Sequence, residues 1–451
     1  MNKYSFTVVF IKRGVKNTLM HRLVLKNTGP IKECSINVDN FTIFTGPQVS
    51  GKSTIAKAVF FFRTVKDDIL DLYLKQRLNN VDDSHFSENS NNSSNLSFIN
   101  LVIRSLKSKL LQLFGSLRAV NNSMEMRYYY DTETYIAITV KTEKSSEYIS
   151  PNCIYINFSN NINSFLQEKY SDIDKYDDYK GRIKNELSKL FVDDYHTIFI
   201  PAGRSILTLL TSQLNYLFAI MDEEQKRTID YCTKKYIELI LKIRPNFSEG
   251  IEGYFLNKLS TNTEKINTQI IKKTITDIKT LLKGKYIFTS GEEWLILENN
   301  NCIKINSASS GQQEMLWILN IIAYQMINNF KTFLIVEEPE AHLYPNSQKA
   351  ISELFSLFYN AGNSILITTH SPYVLGTINN LLYAFKIKNQ DIIDNDKVLN
   401  KCKTYHIENS LVVECMDEEN LIQNEVIDDA SIDINDTYNK LFRQMGDCFL
   451  V

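Results

Sequence analysis

Apolar and polar positions begin to alternate at residue 20 and continue to do so up to about residue 40. This period of two predicts half-buried β-strands. The apolar run at 41–44 (FTIF) predicts a buried strand, and the run at 54–62 (TIAKAVFFF) is typical of a helix. A glycine-containing loop lies between them, so this part of the chain predicts a strand, a tight loop and a helix in succession.

Three further apolar runs, at 197–200, 332–336 and 364–369, also predict buried strands. A long apolar helix is expected over 314–330, and another helix is expected to begin at Ser347, between the last two strands. Strands that alternate with helices in this way predict a mostly parallel α/β core.

Other segments predict additions to this core. Residues 126–158 are rich in aromatic and β-branched residues, which predicts antiparallel strands, and residues 286–305 predict a β-hairpin around Asn299 to Asn301. Apolar residues at three-to-four spacing predict helices over 101–117 and throughout 206–283. The polar, low-complexity run at 79–97 predicts an exposed, mobile loop.

Composition narrows the class of protein. The chain has 451 residues, enough for two or three lobes, and a formal net charge of −2 that gives no global basic signature for nucleic acid. Its seven cysteines include no C-x-x-C pair, which favours a reducing, cytoplasmic location without disulfides or structural zinc. No apolar run reaches the length of a membrane span, and residues 1–19 lack a signal-peptide cleavage site, so we expect no membrane contact.

The loop at 46–53 (GPQVSGKS) fits the phosphate-binding pattern G-x-x-x-x-G-K-[ST], in the strand–loop–helix context that this pattern requires. Loop N–H groups and the helix N-terminus favour anionic phosphate. We expect Lys52 to reach the β- and γ-phosphates of ATP and the Ser53 hydroxyl to bind Mg²⁺. The predicted nucleotide-binding residues here are Gly46, Pro47, Gln48, Val49, Ser50, Gly51, Lys52, Ser53 and Thr54.

The apolar strand at 332–336 ends in two adjacent carboxylates, Glu337 and Glu338. Neighbouring side chains on a strand point to opposite faces, but a twist at the strand end can bring both to one site. We assign Glu337 to the metal and Glu338 to the base that polarises the attacking water. Most phosphate-loop proteins have Asp at the metal position, so the longer Glu337 is a departure.

Two more runs carry candidate residues. Residues 309–314 (SSGQQE) precede the long apolar helix, so Ser310, Gly311 and Gln312 could bind an anion at its N-terminus; alternatively, Ser310 only caps the helix. The strand at 364–369 delivers His370 to the same sheet edge, where it could donate to a γ-phosphate oxygen or serve only a structural role.

Together, the four runs resemble the ABC-type ATPase superfamily, and most closely its OLD-like and AAA_15/AAA_21-type branch, which is related to the SMC and RecF proteins. GPQVSGKS is similar to Walker A, SSGQQ to the signature motif, IVEEPEAHL to Walker B with the D-loop, and TTHSPYVL to the switch-histidine motif. The resemblance implies a homodimer, or a higher homo-oligomer, in which each ATP lies between Walker A of one chain and Ser310-Gly311 of the other.

This branch includes ATPase subunits of the Septu, PARIS and retron-associated anti-phage systems. The resemblance therefore implies an ATPase that senses an invader and regulates a separate effector, a nuclease or toxin. A RecF- or SMC-like DNA-repair ATPase is the alternative; a transporter subunit is a third, which the D-loop sequence disfavours. DNA or the effector is a candidate partner through the basic helical region 226–285, but the preferred interpretation of that region is an ordinary solvated surface. Arg204, in the run IPAGR, could contact phosphate or form a structural ion pair.

The predicted architecture is α/β: a P-loop ABC-type ATPase head with an antiparallel β subdomain and an inserted helical lobe. The predicted regions are an N-terminal extension at 1–19, an N-terminal ATPase lobe at 20–205, a helical insert at 206–285, a C-terminal ATPase lobe at 286–390 and an acidic segment at 391–451.

Overall fold

A computed structural model describes most of the chain. Apart from a few isolated positions, the described ranges are 21–83, 97–115, 123–141, 151–167, 176–209, 229–261, 267–388 and 392–423. The predictions for residues 1–19 and for most of the loop at 79–97 therefore lie outside the described residues.

The strands in the described part agree with the predicted positions and add several more. They are β1 His21–Thr28, β2 Ile31–Val38, β3 Phe41–Thr45, β4 Ser123–Tyr129, β5 Tyr135–Lys141, β6 Ile154–Phe158, β7 His196–Ile200, β8 Gly284–Thr289, β9 Glu292–Leu297, β10 Cys302–Lys304, β11 Thr332–Glu337, β12 Ser364–Thr369, β13 Lys403–Glu408 and β14 Leu411–Glu414.

The α-helices follow the same order along the chain, interspersed with short 3-10 turns. They are α1 Lys52–Arg63, α2 Val65–Asp83, α3 Phe98–Phe114, α4 Asn160–Gln167, α5 Tyr176–Leu190, α6 Arg204–Leu209, α7 Tyr231–Ile243, α8 Gly250–Thr261, α9 Thr268–Leu282, α10 Ser310–Ile327, α11 Pro345–Asn360 and α12 Pro372–Ile387.

The central sheet has the order β14-β13-β3-β12-β11-β7. Its strands β13, β3, β12, β11 and β7 are parallel, and β14 pairs antiparallel with β13. A second, antiparallel sheet has the order β2-β1-β4-β5-β6, and a small third sheet the order β10-β9-β8. The predicted α/β architecture with an antiparallel subdomain is thus confirmed. Because β3, β11 and β12 are neighbouring parallel strands, the segments after them emerge at one sheet edge.

The core lies on both faces of the central sheet, because alternate residues of its strands point to opposite sides. Along β11, Leu334 and Val336 join the cluster that contains helices α7 to α12, whereas Phe333 and Ile335 join the cluster that contains α1 to α5 and the antiparallel sheet. All four side chains are buried, which explains why β11 reads as one continuous apolar run.

Three predictions need correction. Helix α2 continues to Asp83, so the start of the predicted loop at 79–97 is helical. Residues 286–305 form a three-stranded meander rather than one hairpin, because a second turn at Ser290-Gly291 joins β8 to β9. The segment 391–451 is not merely a separate acidic region, since β13 pairs with β3 inside the central sheet. That pairing joins residues more than 350 positions apart, which local patterns do not reveal.

Candidate nucleotide site

The loop between β3 and α1 adopts a conformation that its glycines make possible. Gly46 and Gly51 have φ angles of +136° and +111°, in the region that favours glycine. A Cβ atom on Gly46 would lie 2.1 Å from the main-chain oxygen of Ile407 on β13. Strand β13 therefore packs directly against the loop. Glycine is required at position 46 both because β13 lies so close and because of the φ angle.

The first turn of α1 has free N–H groups to offer a ligand. No side chain caps this helix, whose N-cap is Gly51. Ser53 is exposed at its start. Uncapped N–H groups together with the helix dipole favour an anion at this position. The loop residues before this helix, Pro47, Gln48 and Val49, are also exposed.

Lys52 lies inside the loop, where its exposed fraction is only 5%. Its Nζ donates to the main-chain oxygens of Gly46 at 2.8 Å and Pro47 at 2.7 Å. Burial lowers the pKa of Lys52, while the charges of Glu338 and Glu340 oppose that shift. The ammonium group is therefore held within the loop by main-chain acceptors that phosphate oxygens could replace.

Glu337 is the last residue of β11 and is buried. Burial raises the pKa of Glu337, and the Ser53 hydroxyl acts in the opposite direction. One carboxylate oxygen, Oε2, accepts from the N–H of Ala202 at 3.2 Å, whereas Oε1 is buried without a hydrogen-bond partner.

An unsatisfied buried carboxylate oxygen beside a hydroxyl suits a hard cation such as Mg²⁺. No group of three or more His, Cys, Asp or Glu able to hold a metal occurs among the residues that the structure describes. A Mg²⁺ ion here would therefore use Ser53, Glu337 through water, and phosphate oxygens of the nucleotide. The longer Glu in place of Asp still lies close enough to Ser53 for that hydroxyl to oppose the rise of its pKa.

Glu338 leaves the strand pattern because its backbone is left-handed, with φ at +43°. Its N–H donates to the main-chain oxygen of Thr368 at 2.9 Å, which anchors the turn to β12. The side chain is 40% exposed, and its Oε1 lies 3.3 Å from Nε2 of His370. The other ring nitrogen of His370, Nδ1, lies 3.4 Å from Nζ of Lys52.

The structure thus brings Lys52, His370 and Glu338 into one continuous line of contacts, and Ser53 and Glu337 into contact beside it. These residues come from the ends of β3, β11 and β12, as the parallel sheet requires. Their catalytic and binding roles stay predictions.

Glu340 is a residue that sequence reasoning missed. Its Oε1 accepts from the hydroxyl of Thr369 at 2.7 Å and from the N–H of His370 at 2.6 Å. It therefore fixes the backbone from which the His370 ring extends. The signal was present in the sequence as the third carboxylate of Glu337-Glu338-Pro339-Glu340.

The candidate signature residues lie at the start of α10. The helix cap is Ser309, whose hydroxyl accepts from the N–H of Gln312 while the Gln312 side chain accepts from the N–H of Ser309. The alternative that Ser310 is the cap is therefore wrong, and Ser310 is exposed at the first helical position. Gln312 has a structural role as well, since its Nε2 also donates to the main-chain oxygen of Leu282 at 2.8 Å.

Gly311 packs this helix against the segment that follows β11 in the same chain. A Cβ atom on Gly311 would lie 3.0 Å from the main-chain oxygen of His342. Within the described residues, no hydrogen bond joins Ser310 or Gly311 to the phosphate loop. The signature residues are therefore not part of the line of contacts around Lys52.

Arg204 forms the structural ion pair that was one of its two alternatives. It is fully buried, and its Nε lies 3.2 Å from Oε2 of Glu314 on α10. Nη1 donates to two main-chain oxygens and Nη2 to a third, so the guanidinium is directed into the protein backbone.

The basic helical region contains several lysines that pair with acids. Lys273 pairs with Asp394 and Asp396, and Lys279 pairs with Glu252. These pairs reduce the charge available to DNA and favour the interpretation of a solvated surface. Glu419, in the acidic C-terminal segment, pairs with Lys386 of α12.

A sheet edge with an uncapped helix, a buried lysine and clustered carboxylates has the groups that a nucleotide-binding ATPase site requires. Comparison with known proteins agrees, because residues 20–375 match the model of the AAA ATPase domain family, AAA_15. The chain belongs to this family and is an ATP-hydrolysing enzyme. No match was found among curated proteins.

Solved structures with similarity to the chain include three SMC head domains. One is an SMC head bound to the C-terminal winged-helix domain of ScpA, with 13% identity and a TM-score of 0.41, covering 88% of this chain and 97% of the other. Another is an Smc head domain with an extended coiled coil, bound to the C-terminal domain of ScpA from Pyrococcus furiosus. It is 12% identical, has a TM-score of 0.38, and the match covers 88% of this chain and 96% of the other. The third is an SMC head domain from Thermotoga maritima. It is 12% identical, has a TM-score of 0.34, and the match covers 88% of this chain and 97% of the other.

None of the helices in the described part of the chain combines the length and the apolar character that crossing a membrane requires.

Proposed function

We propose that this ATPase is of the ABC type and works as a dimer in which each ATP is enclosed by two chains. The phosphate loop, Glu338 and His370 of one chain would bind one side of the nucleotide, and Ser310 with Gly311 of the second chain the other. The observation that carries this proposal is the position of Ser310. It is exposed in the first turn of α10, beside the cap formed by Ser309, yet it makes no hydrogen bond to the phosphate loop among the described residues of its own chain.

Each residue of the site would have its own task when ATP binds. Phosphate oxygens replace the main-chain oxygens of Gly46 and Pro47 as acceptors for Lys52. Glu338 is the partly exposed carboxylate and takes the proton of the attacking water. His370, held by Glu340, donates to a γ-phosphate oxygen. Bound Mg²⁺ would neutralise charge on the β- and γ-phosphates from its place beside Ser53 and Glu337.

Loss of the γ-phosphate removes the charge that holds the two chains together, so hydrolysis would open the dimer. We propose that this cycle regulates a separate effector nuclease or toxin in bacterial anti-phage defence. The support for this role is the similarity of the run 337–343 (EEPEAHL) to ATPase subunits of such systems. A RecF- or SMC-like role in DNA repair is the alternative.

Size-exclusion chromatography of Glu338→Gln with and without ATP tests the dimer. This variant should bind ATP, hydrolyse it slowly and elute as a larger species only when ATP is present. Adding Ser310→Arg should abolish the shift, because the arginine would fill the space for the second chain's nucleotide. Thr268→Arg is the matched control, since Thr268 is also the exposed first residue of a helix with a capping side chain before it.

An ATP-dependent shift that survives Ser310→Arg would overturn the signature contact, and no shift at all would overturn the enclosed-nucleotide dimer. For the effector, the chain should be co-expressed with the product of its adjacent gene. ATP-dependent co-elution with a nuclease or toxin supports defence, whereas DNA-stimulated turnover of the isolated chain supports the repair role. A multi-span membrane partner would instead indicate transport.

A further inference from the structure

Arg204 donates to four different main-chain oxygens around the ATPase site. Nη1 donates to Pro201 at 2.8 Å and to Glu337 at 2.5 Å, Nη2 donates to Glu338 at 2.9 Å, and Nε donates to Glu314 at 3.3 Å. The side chain is 0% exposed; the bonds to Pro201, Glu337 and Glu314 are buried, and the bond to Glu338 is partly buried.

Two of these four carbonyls, those of Glu337 and Glu338, lie at the end of β11. They belong to the peptide groups before and after the Cα atom of Glu338, and the orientations of those two groups define its φ and ψ angles. The guanidinium fork therefore holds Glu338 in its left-handed conformation, with φ at +43°. That conformation directs the Glu338 carboxylate toward His370 rather than across the strand.

The other end of Arg204 binds the signature helix of the same chain. Its Nε lies 3.2 Å from Oε2 of Glu314, whose Oε1 accepts from the N–H of Ser205 at 3.1 Å. Glu314 is about one helical turn beyond Ser310 on α10. Gly311, packed against the main-chain oxygen of His342, gives the same helix a second contact with the segment after β11.

We propose that Arg204 is a positioning residue that couples the start of α10 to the backbone of Glu337 and Glu338 in the same chain. The part of the inference that concerns dimer closure rests on the proposed function. A second chain's nucleotide bound at Ser310 would move α10, and Glu314 with Arg204 would pass that displacement to the carboxylates. Each chain would then hydrolyse its own ATP only after its signature helix has engaged the other ATP.

The test uses Arg204→Lys in the full-length protein. Lysine keeps the charge but has three N–H donors on one nitrogen instead of the planar fork, so it cannot bind all four main-chain oxygens that Arg204 binds. We expect kcat to fall by about 10- to 100-fold through misplacement of Glu338, while KM for ATP stays within about twofold. In the Glu338→Gln background, ATP-dependent association should still occur, because Lys52 and Ser310 are unchanged.

Arg63→Lys is the matched control, because Arg63 is also buried and paired with an acid, Asp193, away from the ATPase site. It should lower the melting temperature without changing kcat per folded molecule. A purely structural role for Arg204 predicts the same outcome for Arg204→Lys, and that outcome would overturn the proposal.

Glu314→Gln carries the test if Arg204→Lys does not fold, since it removes the ion pair but keeps the shape of the side chain. It should lower kcat at constant KM, and unchanged kcat in a folded Glu314→Gln protein would also contradict the coupling. The two proposals fail separately. Absence of ATP-dependent association in Glu338→Gln counts against the dimer, whereas a normal kcat in the Arg204 and Glu314 variants counts against positioning.

Discussion

Two buried arginines, one in each half of the molecule, bind different kinds of partner. Arg63, at the end of α1 beside the antiparallel sheet, binds side chains: its Nη2 lies 2.8 Å from Asp193 and its Nη1 lies 3.1 Å from Nδ1 of His21. Arg204, beside the parallel sheet edge, binds mainly carbonyl oxygens of the backbone that carries the candidate catalytic carboxylates.

This difference shows how one type of buried ion pair can serve stability in one place and geometry in another. Around Arg63, burial alone would raise the pKa of Asp193, but the charges of Arg63 and Lys66 lower it. The two cations and the carboxylate therefore compensate one another's buried charge. Around Arg204, the ion pair with Glu314 fixes one end while the other end sets two peptide planes. We therefore expect changes near Arg63 to affect unfolding and changes near the sheet edge to affect turnover.

The largest effect is expected from Glu338→Gln. Glutamine cannot accept the proton of the attacking water, so kcat should fall by about 10²–10⁴-fold while ATP binding is retained. Steady-state turnover and equilibrium titration with a fluorescent ATP analogue measure the two quantities. Because Glu338 is partly exposed, the melting temperature of the variant should stay close to that of the unmodified protein. A variant that hydrolyses ATP at the normal rate would remove Glu338 from the role of base.

The next largest effect is a loss of stability, expected near Arg63. Asp193→Asn leaves Arg63 and Lys66 buried without their charge partner, which should lower the free energy of unfolding by about 3–5 kcal/mol. Urea denaturation measures the loss, and KM for ATP should not change. If turnover per folded molecule fell instead, the contrast between the two arginines would be incorrect.

Gly46→Ala tests the contact between the phosphate loop and β13. The new methyl group would meet the main-chain oxygen of Ile407 at 2.1 Å, so the loop or the strand must move, at a cost of about 1–3 kcal/mol. ATP affinity should fall with stability. Gly362→Ala is the control, because Gly362 also has a positive φ but has open space around its Cα. Equal ATP affinity in the two variants would contradict the packing requirement.

The smallest effect is a pH dependence of stability due to His21. Burial, followed by the charge of Arg63, lowers its pKa from 6.5 to about 4, so the folded state holds His21 neutral while the unfolded state binds a proton below pH 6.5. Stability from this group is present above pH 6.5 and is lost as the pH falls toward 4. The loss between pH 7.5 and 5 should be about 2 kcal/mol.

Urea denaturation at the two pH values, compared with His21→Gln, isolates the contribution of His21. The variant should show a smaller loss between the two pH values. ATP affinity should be insensitive to this substitution, because His21 bonds to Tyr128 and Val192 and not to the phosphate loop. An identical pH dependence in the variant would show that other groups are responsible.

The sequence alone determined the four candidate functional runs and the strands that carry three of them. A phosphate loop needs its glycines, lysine and serine at adjacent positions, and a buried strand needs an unbroken apolar run, so both leave a local trace. Lys52, Glu338 and His370 could be placed at one sheet edge because the carboxyl ends of parallel strands share that edge. The type of fold followed from the same alternation of strands and helices.

The tertiary structure decided what holds those residues in place. Arg204 reaches the oxygen of Glu337 across 133 positions of the chain, and Ile407 on β13 meets Gly46 from the opposite end of the sequence. Glu340 accepts a hydrogen bond from the N–H of His370, 30 positions away in the chain. Each of these contacts depends on which strands become neighbours, and that choice is made by burial of whole surfaces rather than by the residues near any one motif.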